Sequence, residues 1–262
     1  MVKTIKEITE ALIEAHQYES WMEDIKNDER AGVQKAWKQW NNRMEKEEKK
    51  RQEHESKVQF DASFLSSSEQ FLAGIDEAGR GPLAGPVVTA AVILPRNCEK
   101  FLGINDSKQL PKKAREEFAK IIKDHALAYS IHFQSAEVID ELNIYEATKQ
   151  SMKKSVENLK ICPDFCIVDA MTLPIDIPQN SIIKGDAKSL SIAAASILAK
   201  NARDEYMEQL HEKYPAYGFD QNAGYGTKKH LEALEQYGYM EEHRKSFEPI
   251  KSMVGAKERV LI

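Results

Sequence analysis

Residues 71–94 read FLAGIDEAGRGPLAGPVVTAAVIL, and this stretch decides the fold. Phe71, Leu72 and Ile75 make a short apolar approach, consistent with a buried strand. Val87, Val88, Val92 and Ile93 make a second, rich in β-branched residues. Between them lie Gly79, Gly81, Gly85, Pro82 and Pro86, which read as a loop between two strands. Two adjacent acids, Asp76 and Glu77, stand at its mouth. A glycine-rich loop ordinarily offers backbone N–H groups to a phosphate, and carboxylates would repel that phosphate.

Downstream of the loop, helical and extended patterns alternate. Residues 111–126 carry Ala114, Phe118, Ile121 and Ile122 at helical spacing behind Pro111. Strands are predicted over 128–134, 165–170 and 181–186. One or two helices are predicted over 135–160, and a long helix with a small-residue face over 189–214. Hairpin strands followed by such alternation indicate an α/β domain with a mixed sheet.

Upstream, residues 1–60 hold all three tryptophans (Trp21, Trp37, Trp40), one glycine and no proline. Ile5, Ile8, Leu12 and Ile13 keep helical spacing, a second helix is expected from about Ser20, and 41–57 read as a solvated helix or linker. The chain is therefore divided into a helical N-terminal extension, 1–65, and a larger second domain, 66–262. In the extension Arg30, Lys35 and Lys38 accompany Trp37 and Trp40. That grouping suits a small aromatic core, nucleic-acid contact, or both.

The chain has 262 residues and a net charge of −5, with 37 basic and 42 acidic residues. Neither region is basic as a whole, so any footprint for nucleic acid must be local or aided by bound cations. No apolar run reaches the length of a membrane span, and the charged N-terminus does not resemble a secretory signal. Three cysteines, Cys98, Cys162 and Cys166, make neither a disulfide framework nor a zinc site. A cytoplasmic location and a monomer are expected, with no membrane partner.

Asp76 closes the first apolar run, Asp169 closes Cys166-Ile167-Val168, and Asp186 follows Ser181-Ile182-Ile183-Lys184-Gly185. In open α/β sheets ligands gather at strand carboxyl ends, so these acids and Glu77 are candidates for one cleft. Any single Asp there is more simply a turn residue; three such ends beside one loop are not. All-oxygen ligands select Mg²⁺ or Mn²⁺, and two such ions suit phosphodiester hydrolysis. A regular strand cannot aim Asp76 and Glu77 at one ion together: either the strand bends here, or Glu77 contributes differently, with Asp76 as the bridging ligand and Glu77 as a partial or second-metal ligand. A dinucleotide fingerprint is rejected because a strand, not a helix, follows the loop. No GxxxxGK[ST] and no GxSxG occurs.

These residues resemble type 2 ribonucleases H, specifically the ribonuclease HII family. The likeness rests on GIDEAGRGPLAGPVV (74–88), NDSKQL (105–110), VDA (168–170), KGD (184–186), SIAAASILAK (191–200), YPAYGF (214–219), GYGTKKH (224–230) and HRKSFEP (243–249), in order. It implies an RNase H-like fold with a helical C-terminal part. It also implies two-metal cleavage of RNA in RNA/DNA hybrids, and 5′ to single ribonucleotides in duplex DNA, leaving 3′-hydroxyl and 5′-phosphate ends. The family's catalytic acids fall on Asp76, Glu77, Asp169 and Asp186. Its reader of the ribose 2′-hydroxyl falls on Gly79-Arg80-Gly81, and its deoxyribose-stacking tyrosine on Tyr225. Lys108, Lys184 and Lys188 are candidate phosphate contacts. Where many relatives have His-Lys before Gly-Tyr-Gly, this chain has Asn222-Ala223. The other readings are a different RNase H-like DNA nuclease or strand-transfer enzyme, and a hybrid-binding protein without turnover.

Overall fold

The computed structural model describes residues 3–260 except 106, 108 and 109, with the side chains of 256–260 also outside the description. The chain divides into two units, 1–55 and 56–262. Helices α1 (Ile5–Glu14), α2 (Met22–Lys26) and the long α3 (Ala31–Ala62) come first. Thr4 opens α1 with a reciprocal capping box to Glu7. In the first unit Ile8, Leu12, Met22, Ile25, Val33 and Trp40 form the core. Trp37 stacks on Trp40 with ring centroids 5.0 Å apart, and the Trp40 indole N–H donates to the Ala15 carbonyl. Arg30 is tied to Asp28, while Lys35 and Lys38 stay exposed. The stretch 41–57 is continuous helix.

The second unit holds β1 (Leu72–Ala78), β2 (Val87–Ile93), α4 (Lys112–His125), β3 (Ala128–Gln134), α5 (Ala136–Leu142), α6 (Ile144–Glu157), β4 (Phe165–Asp169) and β5 (Gln179–Ile182). It continues with α7 (Gly185–Lys188), α8 (Leu190–Lys213), α9 (Phe219–Asn222), α10 (Lys228–Tyr237) and α11 (Ile250–Val260). The sheet order is β3-β2-β1-β4-β5. The β3-β2-β1 portion is antiparallel and β1-β4-β5 is parallel, which gives the expected mixed sheet. One face packs on α8 and α4, the other on α6.

The small-residue face of α8 has a definite cause. A Cβ on Gly74 in β1 would lie 2.2 Å from the Ser191 carbonyl carbon, so glycine and the Ser/Ala run let helix and strand close up. The predicted helical region 135–160 breaks at Asn143, whose φ of 71° ends α5 and whose side-chain oxygen accepts from the N–H groups of Tyr145 and Glu146 at the start of α6.

Two sequence expectations are corrected. Strand β1 does not close at Asp76 but pairs with β2 through Glu77↔Thr89 and Ala78↔Val88. The strand predicted over 181–186 lies earlier, at Gln179–Ile182, and Asp186 sits on the short helix α7 instead. The reason is local: Lys184 is left-handed (φ 55°), which turns the chain out of the sheet before Gly185. Among the described residues no helix is long and apolar enough to cross a membrane.

Candidate active site

Asp76 and Asp169 follow directly on the last β1–β4 pair, Ile75↔Val168, so parallel pairing brings both to the point where the two strands part. Asp76 is 5% exposed. Its carboxyl is held well above the usual range, first by burial and then by the charges of Glu77 and Asp169. The Glu77 N–H, 2.7 Å from Asp76 Oδ1, and the Ser196 hydroxyl oppose this only in part. The β1–β2 ladder is regular here, so Glu77 leaves the strand on the opposite face from Asp76. It meets Arg80 at 3.4 Å. Asp169 Oδ1 accepts the Gly185 N–H at 2.7 Å, which draws α7 against the end of β4. Asp186 turns one oxygen onto the Ala187 N–H at 2.9 Å.

These acids share a region without closing on one point. Among the described residues no three His, Cys, Asp or Glu side chains form a ready cation cage. The donor set nevertheless suits a hard cation. Asp76 is a buried carboxyl facing two like charges, and a divalent ion is the species that relieves both penalties.

The loop after β1 is held by two buried arginines that the sequence reading did not single out. Arg244 donates to the carbonyls of Gly79 (2.6 Å), Arg80 (2.8 Å) and Gly85. Arg203 donates to Pro86, Ala84 and Ala223. With those carbonyls bonded inward, the loop cannot turn them toward a ligand. Gly79 is left-handed (φ 93°), and a Cβ there would fall 2.0 Å from Arg203 Nε. Burial lowers Arg203 to about 10 and Arg244 to about 9, so both keep their charge at neutral pH. The only sequence signal for Arg244 was the block HRKSFEP, to which no role was attached.

Tyr225 is half exposed and adjoins the same loop. A Cβ on Gly81 would lie 3.5 Å from Tyr225 Cε1. The Leu83 N–H donates to the Gly224 carbonyl at 2.8 Å, joining the two turns. Behind Tyr225, a chain of neutral histidines has one self-consistent proton arrangement. The Met240 N–H donates to His243 Nδ1, His243 Nε2–H to His230 Nε2, and His230 Nδ1–H to the Tyr225 carbonyl. Asn222 holds the turn from within, accepting the Gly224 N–H and donating to the Tyr217 carbonyl. Lys184 and Lys188 are exposed on either side of Asp186. Lys108 lies outside the described residues.

Solved structures share this arrangement of strands and helices. Ribonuclease H2 from Pyrococcus horikoshii aligns with a TM-score of 0.63 at 28% identity, covering 72% of this chain and 99% of that one. The ribonuclease HII bound to PCNA from Archaeoglobus fulgidus aligns with a TM-score of 0.58 at 28% identity, covering 68% and 95%. The protein is thus a ribonuclease H of type 2, a metal-dependent nuclease. Residues 73–250 match the family model for Ribonuclease HII, and residues 4–65 match the model for the Ribonuclease HII N-terminal domain. Ribonuclease HII of Bacillus mycoides is 51% identical over 252 residues, covering 91% of this chain and 97% of that protein. That of Enterococcus faecalis is 49% identical over 257 residues, covering 96% and 99%. The chain belongs to the ribonuclease HII family.

Proposed function

We propose that this chain is an endoribonuclease that cuts the RNA strand of RNA/DNA hybrids and cuts 5′ to single ribonucleotides embedded in duplex DNA. The products carry 3′-hydroxyl and 5′-phosphate ends, and the cellular role is ribonucleotide removal and hybrid processing. The observation that supports the reading is that the Tyr225 ring adjoins Gly81, where an added Cβ would lie 3.5 Å from it, on the loop that issues from the strand bearing Asp76 and Glu77. A group that distinguishes ribose is thereby coupled to a group that cuts.

Asp76, Glu77, Asp169 and Asp186 would hold two Mg²⁺ or Mn²⁺ ions. Ions bound there would supply charge neutralisation at the scissile phosphate and activation of a water. The remaining work falls to the protein. Gly79-Arg80-Gly81 receives the 2′-hydroxyl, the group that separates RNA from DNA; Arg203 and Arg244 hold this loop in shape. Tyr225 stacks on the next deoxyribose, where a 2′-hydroxyl would crowd the ring. Exposed Lys184 and Lys188, with Lys108, neutralise neighbouring phosphates. The extension to residue 65 offers exposed Lys35 and Lys38 as a second, local footprint, in addition to that of the catalytic domain 66–262. We take the enzyme to act as a cytoplasmic monomer.

The test is a duplex carrying one ribonucleotide, run beside an all-DNA duplex in Mg²⁺ and in Mn²⁺, with both product ends mapped. Cutting of the first alone, 5′ to the ribonucleotide, is expected. Equal cutting of both indicates a general nuclease, and binding without cutting indicates a hybrid-binding protein.

A further inference from the structure

Lys57 and Asp61 lie four residues apart near the end of α3, one turn of helix, and both turn onto the catalytic unit. Lys57 belongs to a charged run, yet it is only 5% exposed. A buried ammonium is costly unless its donors are satisfied. Lys57 Nζ donates to Asn105 Oδ1 at 2.8 Å and to the backbone carbonyl of Asp186 at 3.2 Å. Asp61 Oδ2 accepts both the N–H and the hydroxyl of Ser191 at 2.8 Å, in the first turn of α8. A carboxylate there also meets the positive end of the α8 dipole. Val58 packs on the sheet–α8 core between them, and Phe64 packs on Phe165 of β4.

Asp186 and Ser191, near the two ends of the segment 185–191, are thus both held by one helical turn. From the far side, Asp169 holds the Gly185 N–H. Asp186 lies inside the gripped segment, on a four-residue helix with little stiffness of its own.

We propose that Lys57 and Asp61 are positioning residues for cleavage: the end of α3 fixes the height and tilt of α7, and with it the Asp186 carboxylate. The terminal turns of the helix that begins in the extension then belong to the catalytic machinery. This rests on the reading of Asp186 as a metal ligand. The alternative for these residues is plain anchoring of α3, which would leave catalysis untouched once the protein is folded.

The experiment compares full-length wild type with Lys57→Met, Asp61→Asn, Asn105→Ala and Asp186→Asn. It reads kcat and KM on a continuous hybrid, and Mn²⁺ affinity by calorimetry without substrate. For Lys57→Met and Asp61→Asn the expectation is a kcat lower by about tenfold, KM within twofold of wild type, and Mn²⁺ affinity weaker by about tenfold, as for groups that orient ligands. Asn105→Ala, which keeps the lysine but removes one acceptor, should move in the same direction by a smaller factor. It carries the test if circular dichroism finds Lys57→Met unfolded. The proposal is overturned if folded Lys57→Met and Asp61→Asn keep kcat and Mn²⁺ affinity within twofold of wild type, or if the whole loss lies in KM. If Asp186→Asn cuts as well as wild type, the functional reading of Asp186 fails instead, whatever the Lys57 variant does.

Discussion

His243 donates from Nε2 to His230 Nε2 across 3.1 Å while its Nδ1 accepts the Met240 N–H, so an added proton on either ring breaks one of these two bonds. Tyr217 and Phe219 wall the pair with their rings. Burial, and then the neighbouring His230, pull His243 down to about 4 from an ordinary 6.5. His230 is lowered too, chiefly by burial. The folded form therefore refuses a proton that the unfolded chain accepts. The stability from this group is complete above pH 6.5 and is lost as pH falls from 6.5 through about 4. Thermal unfolding across that range should show the fall in wild type and a flatter curve in His243→Gln; identical slopes would sever the link to this pair.

Asp76→Asn should separate activity from stability. Removing a metal ligand costs several kcal/mol of transition-state stabilisation, so cleavage should drop by about 100-fold or more. The same change removes a buried carboxyl whose ionisation is opposed first by burial and then by Glu77 and Asp169, so the melting temperature at neutral pH should rise. Single-turnover cleavage and a melting scan on one preparation check both halves.

Arg244→Met should destabilise by about 3 kcal/mol, because the carbonyls of Gly79, Arg80 and Gly85 lose buried partners together. Gly79→Ala should do comparable harm through its left-handed φ and the clash with Arg203. In either folded variant the preference for ribonucleotide over deoxyribonucleotide should fall more than cleavage of continuous hybrid. Denaturant unfolding and paired cleavage rates measure the two effects.

Tyr225→Ala should leave the melting temperature nearly unchanged, since the ring is half exposed. Stacking of an aromatic ring on nucleic acid is worth roughly 1–3 kcal/mol. Cutting at a single ribonucleotide should therefore fall by roughly tenfold, with continuous hybrid less affected, as competition between the two substrates would show.

Strands β1 and β4 are legible because burial on both faces writes continuous apolar runs. Asp169 ends its strand as the run implies, whereas Asp76 marks where the apolar run gives out and not the end of β1. Asp186 was placed on a strand because Ile182-Ile183 extends the apolar pattern, while the left-handed turn at Lys184 overrides it. Arg203 and Arg244 left little trace, since all but one of their partners are backbone carbonyls more than a hundred residues away and their own neighbours look ordinary. Lys57 was hidden differently. A lysine in a charged helix reads as solvated, and only tertiary contact reveals that it is buried.

The placement of the tryptophans has a consequence for anyone measuring this protein. All three belong to the first 55 residues, and the remainder of the chain has none. Trp40 is buried and stacked on Trp37, so its emission should change sharply when that small core melts. Indole fluorescence is accordingly a private reporter of the extension and is silent about the nuclease. A midpoint read from it reports the first unit alone, and a second probe, such as far-ultraviolet dichroism, tells whether the two units melt in one transition or in two.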